Sequence, residues 1–210
     1  MIKIEYTEVC GLNHALRGAR NPMNSWDKAD SHYDLDEYVI GENDHKLATH
    51  LAEAGPDHGK FLRMIQVYCD ITAPFYWYKE LDTYRMGVEK NSCSTMHKIH
   101  SKEFTLDDFS HDQMTCDAVD TLNTTIDMLN TRRMDYLMTK RKIFWWDMIQ
   151  LLPSSYNQRR TYMFSYAALR NIYHARKNHK LAEWHEFCRW IESLPYSEFI
   201  TGQEVPVHEQ

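Results

Sequence analysis

The sequence is poor in the features that announce several common classes of protein. Glycine occurs only 7 times in 210 residues, and neither G-x-G-x-x-G nor a P-loop is present. A Rossmann-type dinucleotide site or an NTPase is therefore disfavoured. The sequence also has no G-x-S-x-G nucleophile elbow, so it gives no support for a serine hydrolase. The 5 cysteines are scattered and form no C-x-x-C pair, so neither a disulfide framework nor a zinc ribbon is indicated.

Excess positive charge and long apolar runs are also missing. The net charge of -6 argues against a nucleic-acid partner, which needs a basic surface. A single nucleotide needs only a local cation or a helix N-terminus. No stretch approaches the roughly 18 apolar residues of a membrane span, and the first residues do not resemble a signal peptide. We expect one cytoplasmic domain over residues 1–210, with no nucleic-acid and no membrane partner.

The 12 histidines invite a metal-site hypothesis, above all at His97-x-x-His100 and at His174 with His179. A metal ion needs three or four converging ligands, and neither HExxH nor a comparable cluster accompanies these pairs. We therefore predict no metal site.

Apolar periodicity predicts strands early in the chain. Residues 1–9 and 64–73 alternate apolar and polar side chains, as half-buried strands do. A capped helix is expected over 43–54, with Leu47, Leu51 and Ala54 one above another on its inner face, and Gly55-Pro56 ends it. The polar stretch 18–42 lacks a period and predicts a long excursion.

Later segments carry a helical period. An aromatic helix is expected over 75–86 and a polar connection over 87–110, and from residue 112 the signal is helical to the end. The helical segments are 119–129, 143–152, 154–176 and 181–191. The first of them carries one apolar stripe of Val119, Leu122, Ile126 and Leu129. Strands early and helices late predict an α+β domain.

Two polar segments are candidates for chemistry. Tyr84–Lys98 combines hydroxyls, an amide and cations that can hold a phosphate, although a solvated turn-rich loop has the same composition. Asn171 and Arg176 end an apolar helix and lie about 140° apart around it, so they can line two adjoining pockets. Alternatively, Arg176 and its cationic neighbours merely complement the helix C-terminus, which leaves Asn171 unexplained.

At these segments the chain resembles the flavin-dependent thymidylate synthases. Leu152-Pro153, Asn171, Arg176 and Trp184-His185-Glu186 resemble the family's Leu-Pro, Asn, Arg and His-Ala-Gln-Trp-Glu series. Ala15–Arg20 resembles the family's early Arg-x-Ala-Arg stretch.

The signature loop, Arg85–Lys98, departs from the family pattern Arg-His-Arg-x-x-Ser-x-Asn-Glu-x-Ser-x-Arg. Thr83-Tyr84-Arg85 keeps only the last arginine of the triplet, and Asn91-Ser92-x-Ser94 stands for Asn-Glu-x-Ser. Ile149 stands where the family has a nucleotide-binding arginine. Guanidinium groups bind in a bidentate way that other residues do not reproduce. Four side chains are candidates to supply the missing phosphate charge: Lys60, Lys90, His97 and Lys98.

The resemblance implies a small antiparallel sheet with long helices, FAD as cofactor, and NADPH and methylenetetrahydrofolate as co-substrates. It implies a homotetramer that binds a pyrimidine deoxynucleotide. Arg176 would be catalytic. The nucleotide-binding residues would be Glu80, Arg85, Asn91, Ser92, Ser94 and Arg176. The cofactor-binding residues would be His58, Arg85, Asn171 and His179.

The reaction that the resemblance implies is one-carbon transfer to C5 of dUMP, which gives dTMP. An alternative on the same fold is methylation or hydroxymethylation of dUMP or dCMP, because Glu80, where the family has glutamine, can accept a hydrogen bond from an exocyclic amine. The altered loop also leaves open a non-catalytic nucleotide- or flavin-binding protein. Aromatic runs at 75–78 and 144–146 fit a subunit interface or, more commonly, core.

Overall fold

The computed structural model describes residues 2–202, so Met1 of the first predicted strand and residues 203–210 lie outside the described residues. The chain divides into two compact units that alternate along the sequence. Unit 1 comprises residues 1–3, 71–83 and 91–161, and unit 2 comprises residues 4–70, 84–90 and 162–210. The prediction of one domain over residues 1–210 stays a prediction.

Strands and helices follow one another along the described part. The strands are β1 Lys3–Cys10, β2 His32–Asp34, β3 Glu37–Val39, β4 Gln66–Pro74, β5 Val88–Ser92 and β6 Asn157–Ser165. The α-helices are α1 Leu12–Ala19, α2 Glu42–Glu53, α3 Phe75–Leu81, α4 Thr95–Lys98, α5 Cys116–Thr139, α6 Lys142–Leu151, α7 Tyr166–Arg176, α8 Ala182–Glu192 and α9 Glu198–Thr201. No helix within residues 2–202 is long and apolar enough to cross a membrane.

The main sheet has four strands in the order β1-β4-β6-β5. The pairing of β5 with β6 is antiparallel, because Ser165 N–H donates to the Gly87 carbonyl while Cys93 N–H donates to the Arg159 carbonyl. The short strands β2 and β3 form a separate antiparallel hairpin. This mixture of long helices with a small antiparallel sheet confirms the predicted α+β class.

The hydrophobic core of unit 1 lies between the helices α5 and α6. Leu122, Ile126 and Leu129 of α5 are buried, as the predicted stripe requires, and Met148 of α6 packs with them. Each such side chain contributes about 1.5–3 kcal/mol on burial. The helix pair therefore stabilises the unit that also carries the first part of β6 and the second half of the signature loop.

The prediction of one helix over 154–176 was wrong, because the strand β6 occupies its first half and α7 only the second. Tyr162 and Tyr166 are four residues apart, a spacing that mimics a helical face across the strand–helix junction. In β6 the side chains of Tyr162 and Phe164 share one face, and their rings stack with centroids 5.0 Å apart. That i,i+2 pairing is the period of a strand.

The connection predicted over 87–110 was also wrong in part, since it contains β5 and α4. β5 reads VEKNS, and all its residues beyond Val88 are exposed. A polar edge strand has no buried face to produce an apolar alternation, and charged residues are common on such edges. Sequence periodicity therefore could not reveal it.

The helix predicted over 43–54 is α2, Glu42–Glu53, but its buried face differs from the prediction. Asp44, Ala48 and Ala52 are buried, in place of Leu47 and Leu51. Asp44 forms a buried ion pair with Arg20. Ala48 and Ala52 follow Asp44 at intervals of four residues, so they lie on the same buried face of the helix.

Candidate functional site

The early arginine stretch supplies a buried ion pair in unit 2. Arg20 Nε donates to Asp44 Oδ1 at 2.6 Å, and both side chains are at most 4% exposed. The other Arg20 nitrogens donate to the carbonyl oxygens of Ser25 and Lys28, while Ser31 donates to Asp44 Oδ2. Burial acts to raise the pKa of Asp44, but the bonds from Ser31 and Arg20 outweigh it and hold that pKa below its usual value. The predicted excursion 18–42 is thus anchored by Arg20.

A cavity of about 740 Å³ in unit 2 collects several predicted site residues. Asn171 lines it from α7, beside the cation Arg170 and the imidazole of His174. The other walls are the turn that contains Gly55 and the short segment of Met86 and Gly87. This volume falls within the roughly 300–1,000 Å³ of small-molecule and cofactor sites.

Gly87 fixes the start of α7 beside this cavity. Its φ is +71°, and a Cβ there would lie 2.3 Å from Ser165 Oγ. Ser165 N–H donates to the Gly87 carbonyl at 2.8 Å, and Ser165 Oγ accepts from Ala168 N–H as the helix cap. Only glycine permits this close approach without strain.

His58 and Arg85 lie next in sequence to residues that line the cavity. His58 is exposed, precedes the 3-10 helix Gly59–Arg63, and donates its backbone N–H to the Gly55 carbonyl. Arg85 is exposed and directly precedes Met86. Their assignment to cofactor binding stays a prediction.

The electrostatics of the cavity suit an anionic ligand. Arg63 and Arg170 line it as permanent cations. Burial, with the nearby charges of Arg170 and Lys177, lowers the pKa of His174, so its imidazole is neutral at pH 7 and acts as a hydrogen-bonding group. Guanidinium groups pair well with phosphates, and glycine lets a ligand approach the backbone. The residues present therefore fit the diphosphate and ring systems of FAD.

Arg176 lies against an aromatic wall in unit 2. Its Nε donates to Tyr84 Oη at 2.9 Å, and its guanidinium carbon is 4.9 Å from the ring of the fully buried Trp184. His179 meets the same Trp184 ring edge to face at 6.2 Å, and its Nδ1 accepts from Leu181 N–H. The structure therefore brings Arg176 and His179 to one tryptophan.

Sequence reasoning did not identify Tyr84 and Trp184 as the partners that orient Arg176. Tyr84 stands in the altered Thr83-Tyr84-Arg85 triplet, and Trp184 stands in the stretch that resembles the family's Trp-Glu. Aromatic faces attract guanidinium groups. Tyr84 stands where the family triplet has histidine, and this difference in the sequence could have indicated its contact with Arg176.

A polar cavity of about 490 Å³ lies within unit 1. Ser94 and Lys98 line it together with Lys102 and Arg159. Ser94 Oγ accepts from His97 N–H at 3.1 Å and so caps α4. Of the four replacement cations predicted from the sequence, Lys98 is the one among this cavity's lining residues.

The remaining predicted nucleotide residues lie elsewhere in unit 1. Asn91 and Ser92 are exposed at the end of β5. Glu80 is half-buried in the last turn of α3. Ile149 packs against the hydrophobic core of α5 and α6, so this position adds apolar contact where the family pattern has a charge. The nucleotide roles of these residues stay predictions.

The two aromatic runs divide between core and surface. Trp77 and Tyr78 are buried, whereas Trp146 is 47% exposed. Trp145 stacks edge to face with Trp146 at 4.8 Å, and its Nε1 donates to the Met96 carbonyl. The first run is therefore mostly core, and the second leaves one ring at the surface.

Comparison with known proteins gives structural likeness only. Neither a family model nor a curated protein sequence matches the chain. Two crystal structures of thymidylate synthase X from Helicobacter pylori with FAD and dUMP are similar to it, with TM-scores of 0.71 and 0.69 at 14% and 15% identity. They cover 96% and 95% of this chain and 98% of their own.

A UMP/dUMP methylase from Streptomyces cacaoi, bound with 5-Br dUMP, is also similar, with a TM-score of 0.60 and 15% identity. The match covers 91% of this chain and 88% of the methylase. The resemblance read from scattered residues is confirmed at the level of the fold. The chain has the fold of a flavin-dependent thymidylate synthase.

Proposed function

We propose that the protein is an FAD-dependent methyltransferase that converts dUMP to dTMP. The observation that carries this proposal is the near-full-length likeness to structures that hold FAD and dUMP, joined to a cavity in unit 2 that fits the cofactor. The co-substrates we propose are methylenetetrahydrofolate as one-carbon donor and NADPH as reductant. When bound, FAD would supply the hydride chemistry that side chains cannot.

The residues proposed to hold FAD line or flank the 740 Å³ cavity, except His179, which lies against Trp184. Arg63 and Arg170 would pair with the diphosphate, and Asn171 would offer an amide to a ring edge. His58, Arg85 and His179 complete the set that the family resemblance implies. Ser165 and Gly87 keep the start of α7 in place, so these groups are oriented before a ligand arrives.

Arg176 is the proposed catalytic residue. Its guanidinium would stabilise negative charge that develops on a pyrimidine carbonyl oxygen, a role that depends on fixed orientation. The bond to Tyr84 and the contact with Trp184 supply that orientation. No nucleophilic side chain is required by this proposal.

Nucleotide binding is proposed for Glu80, Arg85, Asn91, Ser92 and Ser94. Hydroxyls and amides of the loop would hold phosphate or sugar oxygens. Lys98, which lines the unit 1 cavity beside Ser94, is proposed as a phosphate cation in place of the missing arginines. Its compact ammonium would act as a point charge where a guanidinium would bind in a bidentate way.

A homotetramer and a cytoplasmic location complete the proposal. The half-exposed Trp146, Ile143 and Leu151 of α6 supply apolar surface of the kind that subunit interfaces bury. Sedimentation of the purified protein would measure the assembly directly.

The proposal is tested by the visible spectrum of the purified protein and then by product mass. We expect flavin absorbance, and a product heavier than dUMP by the mass of one CH2 unit, since a methyl group replaces the C5 hydrogen, after incubation with methylenetetrahydrofolate and NADPH. Arg176→Gln should keep flavin absorbance and lower kcat by roughly 10²–10³. A protein that takes up no FAD would contradict the proposal.

The alternative of dCMP as substrate, or of a hydroxymethyl product, is favoured by the half-buried carboxylate of Glu80. A carboxylate accepts a hydrogen bond from the exocyclic amine of cytosine. Parallel incubations with dUMP and dCMP distinguish the bases, and product mass distinguishes methyl from hydroxymethyl. Flavin uptake without turnover would indicate a binding protein.

A further inference from the structure

A line of polar contacts within unit 1 joins the end of α3 to the loop after β5. Arg160 Nη1 donates to both carboxylate oxygens of Asp82, at 3.0 and 3.1 Å. Arg160 Nε donates to Gln158 Oε1 at 2.8 Å. The Gln158 amide nitrogen in turn donates to the Cys93 carbonyl oxygen. The guanidinium carbon lies 3.7 Å from the ring centroid of Tyr78.

These contacts are largely shielded from water, which makes each of them stronger. The Arg160 side chain is 11% exposed and Gln158 is 7% exposed. Because Arg160 Nε can only donate and a carbonyl oxygen can only accept, one orientation of the Gln158 amide satisfies both neighbours. Turning the amide over would place two donors against each other and two acceptors against each other. Arg160 therefore fixes the direction in which Gln158 points.

At the loop end of this line, the backbone N–H and the backbone carbonyl of Cys93 are both hydrogen-bonded. Cys93 N–H donates to the Arg159 carbonyl at 3.0 Å, and the Cys93 carbonyl accepts from Gln158. Ser92 and Ser94, on either side of Cys93, are nucleotide-binding candidates. The backbone of Asn91–Ser94 is thus shaped by Arg160, which reaches Cys93 through two hydrogen bonds with Gln158 between them.

We propose that Arg160 is a positioning residue which, through Gln158, sets the segment Asn91–Ser94 in the conformation that receives the nucleotide. The inference rests on the proposed function, in which Asn91, Ser92 and Ser94 contact the nucleotide. A loop that is already ordered loses less conformational freedom on binding, so its ligand binds more tightly. The sequence departs from the family pattern at this loop. Arg160, which lies on β6, keeps the loop ordered through its contact with Gln158.

The first test compares Arg160→Met with a matched control, Arg132→Met. Arg132 also pairs with carboxylates, at Asp135 and Asp147, and also stacks on an aromatic ring, Phe144. Arg160→Met should raise the Kd for dUMP about tenfold while FAD affinity changes less than about twofold, since preorganisation affects the nucleotide loop alone. Arg132→Met should change neither affinity.

Arg160→Lys separates positioning from charge. A lysine keeps the pairing with Asp82 but lacks the planar fork that reaches Gln158 at the same time. We therefore expect the same loss of dUMP affinity as in Arg160→Met. Full rescue by lysine would show that the charge alone matters and would overturn the proposal.

A second test needs no nucleotide. Cys93 and Cys116 are both exposed thiols of unit 1, so their alkylation by iodoacetamide can be followed peptide by peptide. Arg160→Met and Gln158→Leu should each raise the Cys93 rate several-fold and leave the Cys116 rate unchanged. If the wild-type protein fails to bind dUMP, the proposed function is wrong and the Cys93 rate still decides the positioning role. An unchanged Cys93 rate in both folded variants would refute it.

Discussion

Arg176 and Arg160 both lie over aromatic rings, yet their settings give them different roles. Arg176, at the end of α7, donates to the hydroxyl of Tyr84 and lies over Trp184. Arg160, on β6, lies over Tyr78 and is paired with the carboxylate of Asp82. The carboxylate of Asp82 and the amide of Gln158 both hold the Arg160 guanidinium, so this side chain is a fixed support within unit 1.

The same contrast separates two regions of the chain. The α7–α8 region keeps the residues that the family resemblance names, whereas the loop region replaces them and is ordered from β6. We expect substitutions in the first region to affect chemistry or stability strongly, and those in the second to affect nucleotide affinity more modestly. The predictions below run from the largest expected effect to the smallest.

The largest effect is expected at the buried pair of Arg20 and Asp44. Asp44→Asn leaves the Arg20 charge buried without its counter-ion, which typically costs about 3–5 kcal/mol. Urea denaturation should show this as a lower midpoint with an unchanged slope. The control is Glu42→Gln on the same helix, which removes an exposed pair with Lys46. Equal stability of both variants would contradict the anchoring role of Arg20.

The same carboxylate predicts a pH dependence. Because the pKa of Asp44 is lowered from 3.8 in the folded protein, the unfolded chain binds this proton first as the pH falls. Its contribution is therefore fully present above about pH 5 and is lost as the pH falls through the folded pKa. Wild type should lose more stability than Asp44→Asn between about pH 5 and pH 3. Parallel curves would exclude Asp44 as the source.

At the catalytic candidate, Arg176→Gln should lower kcat by roughly 10²–10³, the usual effect of removing one oriented group that stabilises developing charge. Flavin absorbance should be unchanged, because Asn171 and the cavity remain. Arg189→Gln, an exposed position on α8, is the control and should keep full turnover. Loss of flavin in Arg176→Gln would instead assign Arg176 to the cofactor.

The sequence predicts a helix or strand of this protein correctly where burial of one face produces an apolar period in the residues. The stripe of Val119, Leu122, Ile126 and Leu129 follows from burial of one face of α5, and its members are buried except for Val119, which is half-buried. β5 was missed because its exposed residues carry no apolar period. The helix assigned to 154–176 failed because Tyr162 and Tyr166 imitate an i,i+4 pair across the junction of β6 and α7.

The candidate site shows the same limit. Asn171 and Arg176 were selected as candidates because polar residues at the end of an apolar helix require an explanation, and their roles stay predictions. The contact of Gln158 with Cys93 was not predicted, since it joins residues that are 65 positions apart in the chain. Such pairings depend on strand register, which the sequence pattern of an exposed edge strand does not specify.

Gly87 tests the framework of the unit 2 cavity. Gly87→Ala adds a Cβ 2.3 Å from Ser165 Oγ at a φ of +71°, which should cost about 1–3 kcal/mol and weaken FAD binding. Gly18→Ala in α1 is the matched control. Its Cβ would lie 3.6 Å from Met64 Sδ and 4.0 Å from Met64 Cε, which are ordinary van der Waals distances. We expect thermal unfolding to shift for Gly87→Ala alone. Equal shifts would show that Gly87 has no special role.

The smallest expected effect is at Ser94, where one hydroxyl has two assignments. As the cap of α4 it accepts from His97 N–H, and loss of such a cap in Ser94→Ala should lower the free energy of unfolding by about 0.5–1 kcal/mol. Ser94→Thr keeps an acceptor and should restore that stability. If the hydroxyl also binds the nucleotide, dUMP affinity must fall further in Ser94→Ala than in Arg160→Lys, whose loop keeps its hydroxyl. If the two affinities agree, the conformation of the loop determines dUMP affinity without the Ser94 hydroxyl, and Ser94 has only a structural role as the cap of α4.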